Sequence, residues 1–173
     1  SSLLETVSDY GKSTITGSYS LNLMLRPDLD VYVVGEKYDH VKAKKIAHRL
    51  LDLDYFDMLC FVDKTRRSHK GIRGYYLQPH KQIGVRDWKI DVWLTTKEFF
   101  KDNTHLFLKR IEESENPDEI RRKILQLKQT FREGSKYKKG IDGEKIYNAV
   151  LDNPNMETEE LRKLLLQDTG GTG

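Results

Sequence analysis

Apolar and polar residues follow two different patterns along this chain, and the change falls near Thr95. Before Thr95, short apolar or alternating runs are separated by turn residues, which indicates strands mixed with helices. After Thr95, apolar residues recur at helical spacing. We therefore predict a first domain over 1–95, a helical C-terminal domain over 96–169 and a flexible tail over 170–173.

Five strands and two helices are predicted in the first domain. The strands cover 13–16, 28–34, 58–62, 72–78 and 88–95, and the helices cover 19–25 and 41–53. The second strand shows the cleanest pattern, because Leu29, Val31 and Val33 alternate with polar residues as in a strand with one buried face. The third strand is a continuous apolar run, which is typical of a buried strand. Ser18 is a suitable N-cap for the first helix.

Four helices are predicted in the second domain. They begin at Thr96 and Asn116 and cover 144–151 and 159–166, with a loop over 134–143. The helix at Asn116 has the strongest start signal, because Asn116 can cap it, a proline lies in its first turn and Glu119 stands at the capping-box position. The helix from Thr96 carries apolar residues at helical spacing, which favours core positions for Phe99, Phe100, Leu106, Phe107 and Ile111.

Three acidic side chains on two of these strands carry the candidate chemistry. Asp28 and Asp30 lie two residues apart on one strand, so they project from the same face about 6.5 Å apart. If the strand 88–95 lies alongside, Asp91 faces the same way. Converging carboxylates repel one another unless a cation sits among them, and Mg²⁺ prefers such oxygens while leaving positions for phosphate. We therefore predict that Asp28, Asp30 and Asp91 are catalytic and bind two magnesium ions.

A phosphate-binding turn is predicted directly upstream of the first two aspartates. Gly17 lets the backbone turn tightly and approach a ligand closely. Ser18 contributes a hydroxyl and opens a helix whose free N–H groups favour an anion. The strand, the Gly-Ser turn, the short helix and the Asp-x-Asp strand together indicate a cradle for a triphosphate and its metal ions.

These motifs resemble the signature of the polymerase-β-like nucleotidyltransferases, of the minimal and antibiotic-modifying types. The signature comprises Gly17-Ser18, then after nine residues Asp28-Leu29-Asp30, and Ile90-Asp91-Val92 on a later strand. The resemblance covers roughly residues 13–95. It implies an α+β fold in which a mixed, mostly antiparallel sheet is flanked by helices and followed by an α-helical part. It also implies that Asp28 and Asp30 bind both metals, that Asp91 holds the nucleophile-side metal and accepts a proton, and that Gly17 and Ser18 contact the triphosphate.

The activity implied by the resemblance is nucleotidyl transfer. A nucleoside monophosphate would pass from a nucleoside triphosphate, with ATP favoured, to an acceptor hydroxyl, and pyrophosphate would leave. A small molecule is favoured as the acceptor over RNA or protein. One departure leaves an alternative open, because Lys89 shares the predicted face with Asp91 and can pair with it instead. The alternative is a catalytically degenerate fold that binds nucleotide, RNA or a protein partner.

Basic residues cluster in two segments, although the net charge of +3 is too small to indicate a nucleic-acid partner by itself. Arg66 and Arg67 lie in the predicted turn between two strands, and Lys138 lies in the predicted loop of the second domain. Either segment can attract phosphate. We predict Arg66, Arg67 and Lys138 as nucleotide-binding residues, with simple solubility of exposed loops as the alternative.

The composition restricts the class of protein further. The 173 residues are 37% hydrophobic and 33% charged, which is typical of a folded, highly charged globular protein. No apolar run approaches the roughly 20 residues that cross a bilayer. A single cysteine, Cys60, excludes an internal disulfide and favours a cytoplasmic location. We interpret Cys60 as a small hydrophobe within its apolar run.

Overall fold

The computed structural model describes residues 2–66, 71–133, 136–137 and 140–167, with the backbone alone described at 133, 136 and 137. The chain forms two units. One comprises Ser1–Ser20 and Arg26–Asp102, and the other comprises Leu21–Leu25 and Asn103–Gly173. Within the described ranges, every helix is too short or too polar to span a bilayer.

The first unit is built on a five-stranded sheet. Its strands are β1 (Lys12–Thr16), β2 (Asp28–Gly35), β3 (Met58–Asp63), β4 (Tyr75–Ile83) and β5 (Arg86–Thr96), and its helices are α1 (Leu3–Ser8), α2 (Gly17–Ser20) and α3 (His40–Asp52). The strand order is β1-β2-β5-β4-β3; β2 and β5 run parallel, and the other neighbours are antiparallel. The predicted mixed, mostly antiparallel sheet flanked by helices is confirmed.

The alternation along β2 places its apolar side chains in the core of this unit. Val31 and Val33 are fully buried and belong to one cluster with Val92 and Leu94 of β5. The buried side chains of α3 belong to the same cluster. Because successive side chains on a strand point to opposite faces, the polar residues of β2 and β5 lie together on the other face.

The strand β3 lies at the edge of the sheet and is not the buried strand that its apolar run predicts. Among the described strands it pairs with β4 alone, and its side chains range from half-buried to exposed. Met58 is 51% exposed, and Cys60 is exposed as well. The prediction of a buried strand is therefore wrong, and Cys60 does not act as a packed hydrophobe within it, because the position of a strand within its sheet decides burial more than its own residues do.

The strand β4 lies further along the chain than the predicted 72–78. It continues through Pro79, and His80 still pairs with Lys89 of β5 beyond it. Proline has no N–H to donate, so in a sequence it is typical of a strand end. The antiparallel pairing tolerates this one missing hydrogen-bond donor. The strand β4 therefore stays paired with β5 on both sides of Pro79.

The second unit is helical. Its elements are α4 (Thr104–Glu112), α5 (Pro117–Phe131), β6 (Arg132–Glu133), β7 (Lys136–Tyr137), α6 (Gly143–Asp152) and α7 (Thr158–Gln167). The apolar faces of the four helices share one core. The helical C-terminal part is therefore confirmed. The short ladder between β6 and β7 replaces part of the predicted loop, and residues 134–135 and 138–139 of that loop lie outside the described residues.

The predicted helix starts at Asn116 and Thr96 have opposite outcomes. The start at Asn116 is confirmed, because its side chain accepts a hydrogen bond of 3.1 Å from the Glu119 N–H. The start at Thr96 is wrong, since α4 begins only at Thr104. Phe99 and Phe100 precede that helix and pack against aromatic rings of the first unit instead. In the sequence they continue the apolar pattern of the following helix, but contacts with distant aromatic rings keep them in an irregular segment.

The predicted helix 19–25 is also wrong. The helix α2 is a single turn that ends at Ser20, and Ser18 lies within it rather than capping it. Leu21 and Leu23 are fully buried in the core of the second unit, and the intervening Asn22 has a φ of 57°. Two buried leucines with one residue between them suit a non-helical segment, so packing overrides the helical spacing seen in the sequence.

Candidate functional site

The register of β2 and β5 brings the predicted acidic residues together. Asp30 lies directly opposite Asp91 on the neighbouring parallel strand, and Asp28 lies opposite Lys89. Adjacent strands are about 4.8 Å apart, so these four side chains form one cluster on the polar face of the sheet. We call Asp28, Asp30, Lys89 and Asp91 the acidic cluster. This register places Asp91 on the same face of the sheet as Asp28 and Asp30.

Lys89 bridges two of the three carboxylates. Its Nζ lies 2.9 Å from Asp91 Oδ2 and 3.2 Å from Asp28 Oδ1. Burial by itself would lower the pKa of Lys89, but the hydrogen bond to Asp91 and the charges of Asp91 and Asp28 outweigh it, and the pKa is raised above its usual value. The ammonium therefore stays protonated and partly balances the cluster. The pairing that the sequence left open as an alternative is present.

The second oxygen of Asp91 is held by β4. Asp91 Oδ1 accepts hydrogen bonds of 2.7 Å from the Tyr76 hydroxyl and 2.8 Å from Gln78 Nε2. Burial would raise the pKa of Asp91, but these two hydrogen bonds and the one from Lys89 outweigh it, so the pKa lies below its usual value. Asp91 is consequently an ionised carboxylate with Oδ1 committed to β4 and Oδ2 directed to the acidic cluster.

The burial of Tyr76, together with its hydrogen bond to Asp91, raises the pKa of its phenol far above the usual value. The hydroxyl therefore remains a proton donor to Asp91 at any physiological pH. On its other side the Tyr76 ring lies 4.9 Å from the Trp93 ring, with Lys64 Nζ 4.9 Å from its centroid. Tyr76 is thus fixed at both ends, and it fixes Asp91 in turn.

Gly17 lies directly against Asp30. Its φ is +69°, and a Cβ on this residue would lie 2.4 Å from Asp30 Oδ2. A side chain at this position would collide with the carboxylate and would also strain the backbone. Ser18 follows within the one-turn helix α2. The predicted Gly-Ser turn therefore adjoins the acidic cluster, as the sequence spacing predicts.

The acidic cluster has suitable oxygen donors for magnesium, but its side chains are closed around Lys89. Carboxylate oxygens are the ligands that Mg²⁺ prefers. Asp28 Oδ1 is sealed from solvent, and apart from the Lys89 ammonium 3.2 Å away it has no polar partner among the described residues. Within the described ranges, however, no group of three acidic, histidine or cysteine side chains is arranged around a common point for a metal ion. The cation among these carboxylates is the lysine ammonium.

The predicted nucleotide-binding basic residues are only partly placed. Arg66 is exposed in the segment after β3. Hydrogen bonds from Thr65 are the main cause of the lowered pKa of Asp63, and the charge of Arg66 contributes to a smaller extent. Arg67 and Lys138 lie outside the described residues. The nucleotide-binding role of all three stays a prediction.

Sequence reasoning missed the two residues that orient Asp91. Tyr76 and Gln78 lie two residues apart on β4, so they share one face, and that face is the one that carries Asp91. Beyond them, His80 Nε2 lies 3.1 Å from Gln78 Oε1, and His80 Nδ1 lies 3.5 Å from Asp87 Oδ2. The alternation of Tyr76, Gln78 and His80 is visible in the sequence, but assigning it to the site requires the pairing of β4 with β5.

Comparison with known proteins supports the fold. No family model matches the chain, and no curated protein matches it in sequence. Among solved structures, the chain is similar to a terminal uridylyl transferase 4 from Trypanosoma brucei with bound UPU, with a TM-score of 0.52 and 14% sequence identity. The match covers 97% of this chain and 63% of that one. The fold of this chain is therefore that of a nucleotidyltransferase.

Proposed function

We propose that this protein is a nucleotidyltransferase that moves a nucleoside monophosphate from a nucleoside triphosphate to an acceptor hydroxyl and releases pyrophosphate. The observation that carries the proposal is the register of β2 and β5, which sets Asp30 beside Asp91 while Gly17 lies against Asp30. The fold alone would accommodate many activities. A carboxylate pair can hold the divalent ions that stabilise charge during transfer at a phosphate, and it lies here beside a glycine turn.

Magnesium is the proposed cofactor, held as two ions by Asp28, Asp30 and Asp91. When bound, magnesium would neutralise triphosphate charge and activate the attacking oxygen. The protein's own part is positioning: Tyr76 and Gln78 hold Asp91 in one orientation as an ionised acceptor, and Gly17 lets the Asp30 carboxylate lie directly against the backbone of the turn. The same hydrogen bonds lower the pKa of Asp91, so this carboxylate is suited to hold a cation rather than to take up a proton.

The donor nucleotide is proposed to be ATP, and UTP is the first alternative to test because the similar solved structure is a uridylyl transferase. A small hydroxyl compound is the favoured acceptor, with an RNA end as the second class. The test incubates the full chain with α-³²P-labelled ATP or UTP, magnesium, and either a panel of small hydroxyl acceptors or a single-stranded RNA. Transfer of label to an acceptor is the expected result.

The matched variants for this assay are Asp30→Asn and Asp57→Asn. Asp30 belongs to the acidic cluster, so we expect Asp30→Asn to lose roughly 100-fold or more of the transfer rate. Asp57 lies on the same unit away from the cluster, where it pairs with Lys81 at 3.1 Å, and Asp57→Asn should retain the rate. Undiminished transfer by Asp30→Asn would exclude the proposed role of the cluster.

A second candidate function is favoured by one observation, the bridge from Lys89 to Asp28 and Asp91. A cluster balanced permanently by a lysine would not need magnesium, and the fold would then bind nucleotide, RNA or protein without catalysis. Nucleotide binding that requires magnesium supports the enzyme. RNA binding that weakens steeply with salt and ignores magnesium supports the non-catalytic module.

A further inference from the structure

The acidic cluster contains its own cation. Three carboxylates lie at adjacent register positions of β2 and β5, and Lys89 on β5 places its ammonium between Asp28 and Asp91. The formal charge of the cluster is therefore −2 rather than −3. A remaining charge of −2 still attracts a divalent cation, although the lysine occupies two of the oxygens that such an ion would use.

We propose that Lys89 is a displaceable counter-ion, whose ammonium and a divalent metal ion compete for Asp28 Oδ1 and Asp91 Oδ2. The proposal rests on the proposed metal-binding role of the acidic cluster. In the metal-free protein Lys89 relieves the repulsion among the carboxylates and keeps them facing one another. Metal binding turns the lysine side chain out towards solvent.

The first argument is that Asp28 Oδ1 and Asp91 Oδ2 have no strong partner besides Lys89 among the described residues, and that both point towards its ammonium. Asp28 Oδ1 is sealed from solvent and accepts no well-aligned hydrogen bond from the described residues. Asp91 is anchored through its other oxygen by Tyr76 and Gln78. Removing the ammonium would therefore leave two anionic oxygens aimed at a shared space, which is a costly arrangement without another cation.

The second argument is that Lys89 can leave while its backbone stays. The Lys89 N–H donates to the Pro27 carbonyl at 3.1 Å, and the residue lies within the β2–β5 ladder, so the main chain is held. The side chain is 33% exposed. A lysine has a long flexible stem whose ammonium readily reaches water. Displacement therefore requires only side-chain rotation.

The test measures metal binding directly and does not depend on turnover. Mn²⁺ is titrated into the full chain, and the free ion is followed by electron paramagnetic resonance in the wild type, in Lys89→Met and in Lys81→Met. Lys81 is a matched control, since it pairs with the carboxylate of Asp57 at 3.1 Å on the same sheet. We expect Lys89→Met to bind Mn²⁺ roughly tenfold more tightly, because a unit charge that competes at contact distance is gone. Lys81→Met should bind as the wild type does.

A thermal measurement supplies a second readout. Without metal, Lys89→Met should melt below the wild type, because Asp28 and Asp91 lose their cation. Saturating Mn²⁺ should close that gap. Lys89→Gln removes the charge and keeps hydrogen-bond donors, so it should shift both measurements in the same direction and serves if Lys89→Met does not fold.

The possible failures are distinguishable. If Lys89→Met and Lys89→Gln bind Mn²⁺ no more tightly than the wild type, while Asp30→Asn weakens binding, the counter-ion proposal is overturned and the metal role of the cluster stands. If wild type, both Lys89 variants and Asp30→Asn all bind alike or not at all, the metal role falls and takes the counter-ion proposal with it.

Discussion

Both units hold lysine ammonium groups against other parts of the protein, but they satisfy these groups in different ways. In the second unit, Lys128 is 3% exposed and donates to the Leu23 carbonyl, and Lys123 is 6% exposed and donates to two further backbone carbonyls. In the first unit, Lys89 lies between two carboxylates. The hydrogen-bond partners of Lys128 and Lys123 are mainly backbone carbonyls, although Lys123 also lies 3.8 Å from Glu119 Oε1, whereas the partners of Lys89 are two charged side chains.

This difference separates a structural lysine from an exchangeable one. A carbonyl belongs to the backbone, so the ammonium of Lys128 ties α5 to the segment Leu21–Leu25, and its loss leaves a buried acceptor without a donor. A carboxylate carries a charge that another cation can balance equally well. The second unit therefore uses its lysines to hold chain segments together, whereas Lys89 offsets charge at a site that we propose to bind metal.

The largest stability effect is expected for Lys128→Met. Because the Leu23 carbonyl is left without its buried donor, the free energy of unfolding should fall by about 2 kcal/mol. Urea denaturation followed by circular dichroism measures the change. Lys163→Met, at an exposed position of α7, is the control and should be close to neutral. Equal stability of the two variants would show that Lys128 does not hold the segment in place.

Asp91→Asn should lower the free energy of unfolding by about 1 kcal/mol at neutral pH in metal-free buffer, which is a smaller effect than that of Lys128→Met. Because the pKa of Asp91 is lowered in the folded protein, its contribution is present above about pH 4, the ordinary value for aspartate, and is lost as the pH falls through the lowered value. The gap in unfolding free energy between wild type and Asp91→Asn should therefore close in acid.

The same pH series separates the two units. The gap between wild type and Lys128→Met should persist in acid, because a backbone carbonyl does not titrate. Denaturation curves at pH 7, 5, 4, 3 and 2.5 would provide both gaps. If the two gaps respond alike to pH, the distinction between carboxylate-held and carbonyl-held lysines is wrong.

The smallest effect is expected for Lys81→Met. Lys81 pairs with Asp57, whose side chain is 54% exposed, and exposed ion pairs contribute little because water screens them. The unfolding free energy of Lys81→Met should therefore stay close to that of the wild type. A loss as large as that of Asp91→Asn would mean that simple pairing, rather than burial within the acidic cluster, accounts for the energetics of Lys89.

Much of the fold was predictable where a local signal and the tertiary environment agree. The alternation in β2 places Val31 and Val33 in the core, and the cap at Asn116 starts α5. Where the two disagree, the prediction is wrong. Phe99 and Phe100 continue the helical pattern of Leu106, Phe107 and Ile111 in the sequence. Aromatic partners far away in the sequence nevertheless hold them outside the helix.

The candidate site was predictable in its acidic members and not in their supports. Asp28 and Asp30 share a face by the period of a strand, and Asp91 is bracketed by apolar residues on another strand. Tyr76 and Gln78 carry no comparable signal, because β4 continues through Pro79 and its register against β5 depends on long-range pairing. Metal binding and nucleotide binding at this site stay predictions.

Residue order by itself determined which side chains share a strand face, where the strongest helix cap lies and that a Gly-Ser turn precedes two aspartates, because these follow from the local periods of strand and helix. Tertiary structure alone decided that Asp30 meets Asp91, that β3 is an edge strand and that Lys89 reaches both Asp28 and Asp91. The physical reason is that strand order, register and side-chain neighbours are set by contacts between residues distant in the chain, which a local pattern does not encode.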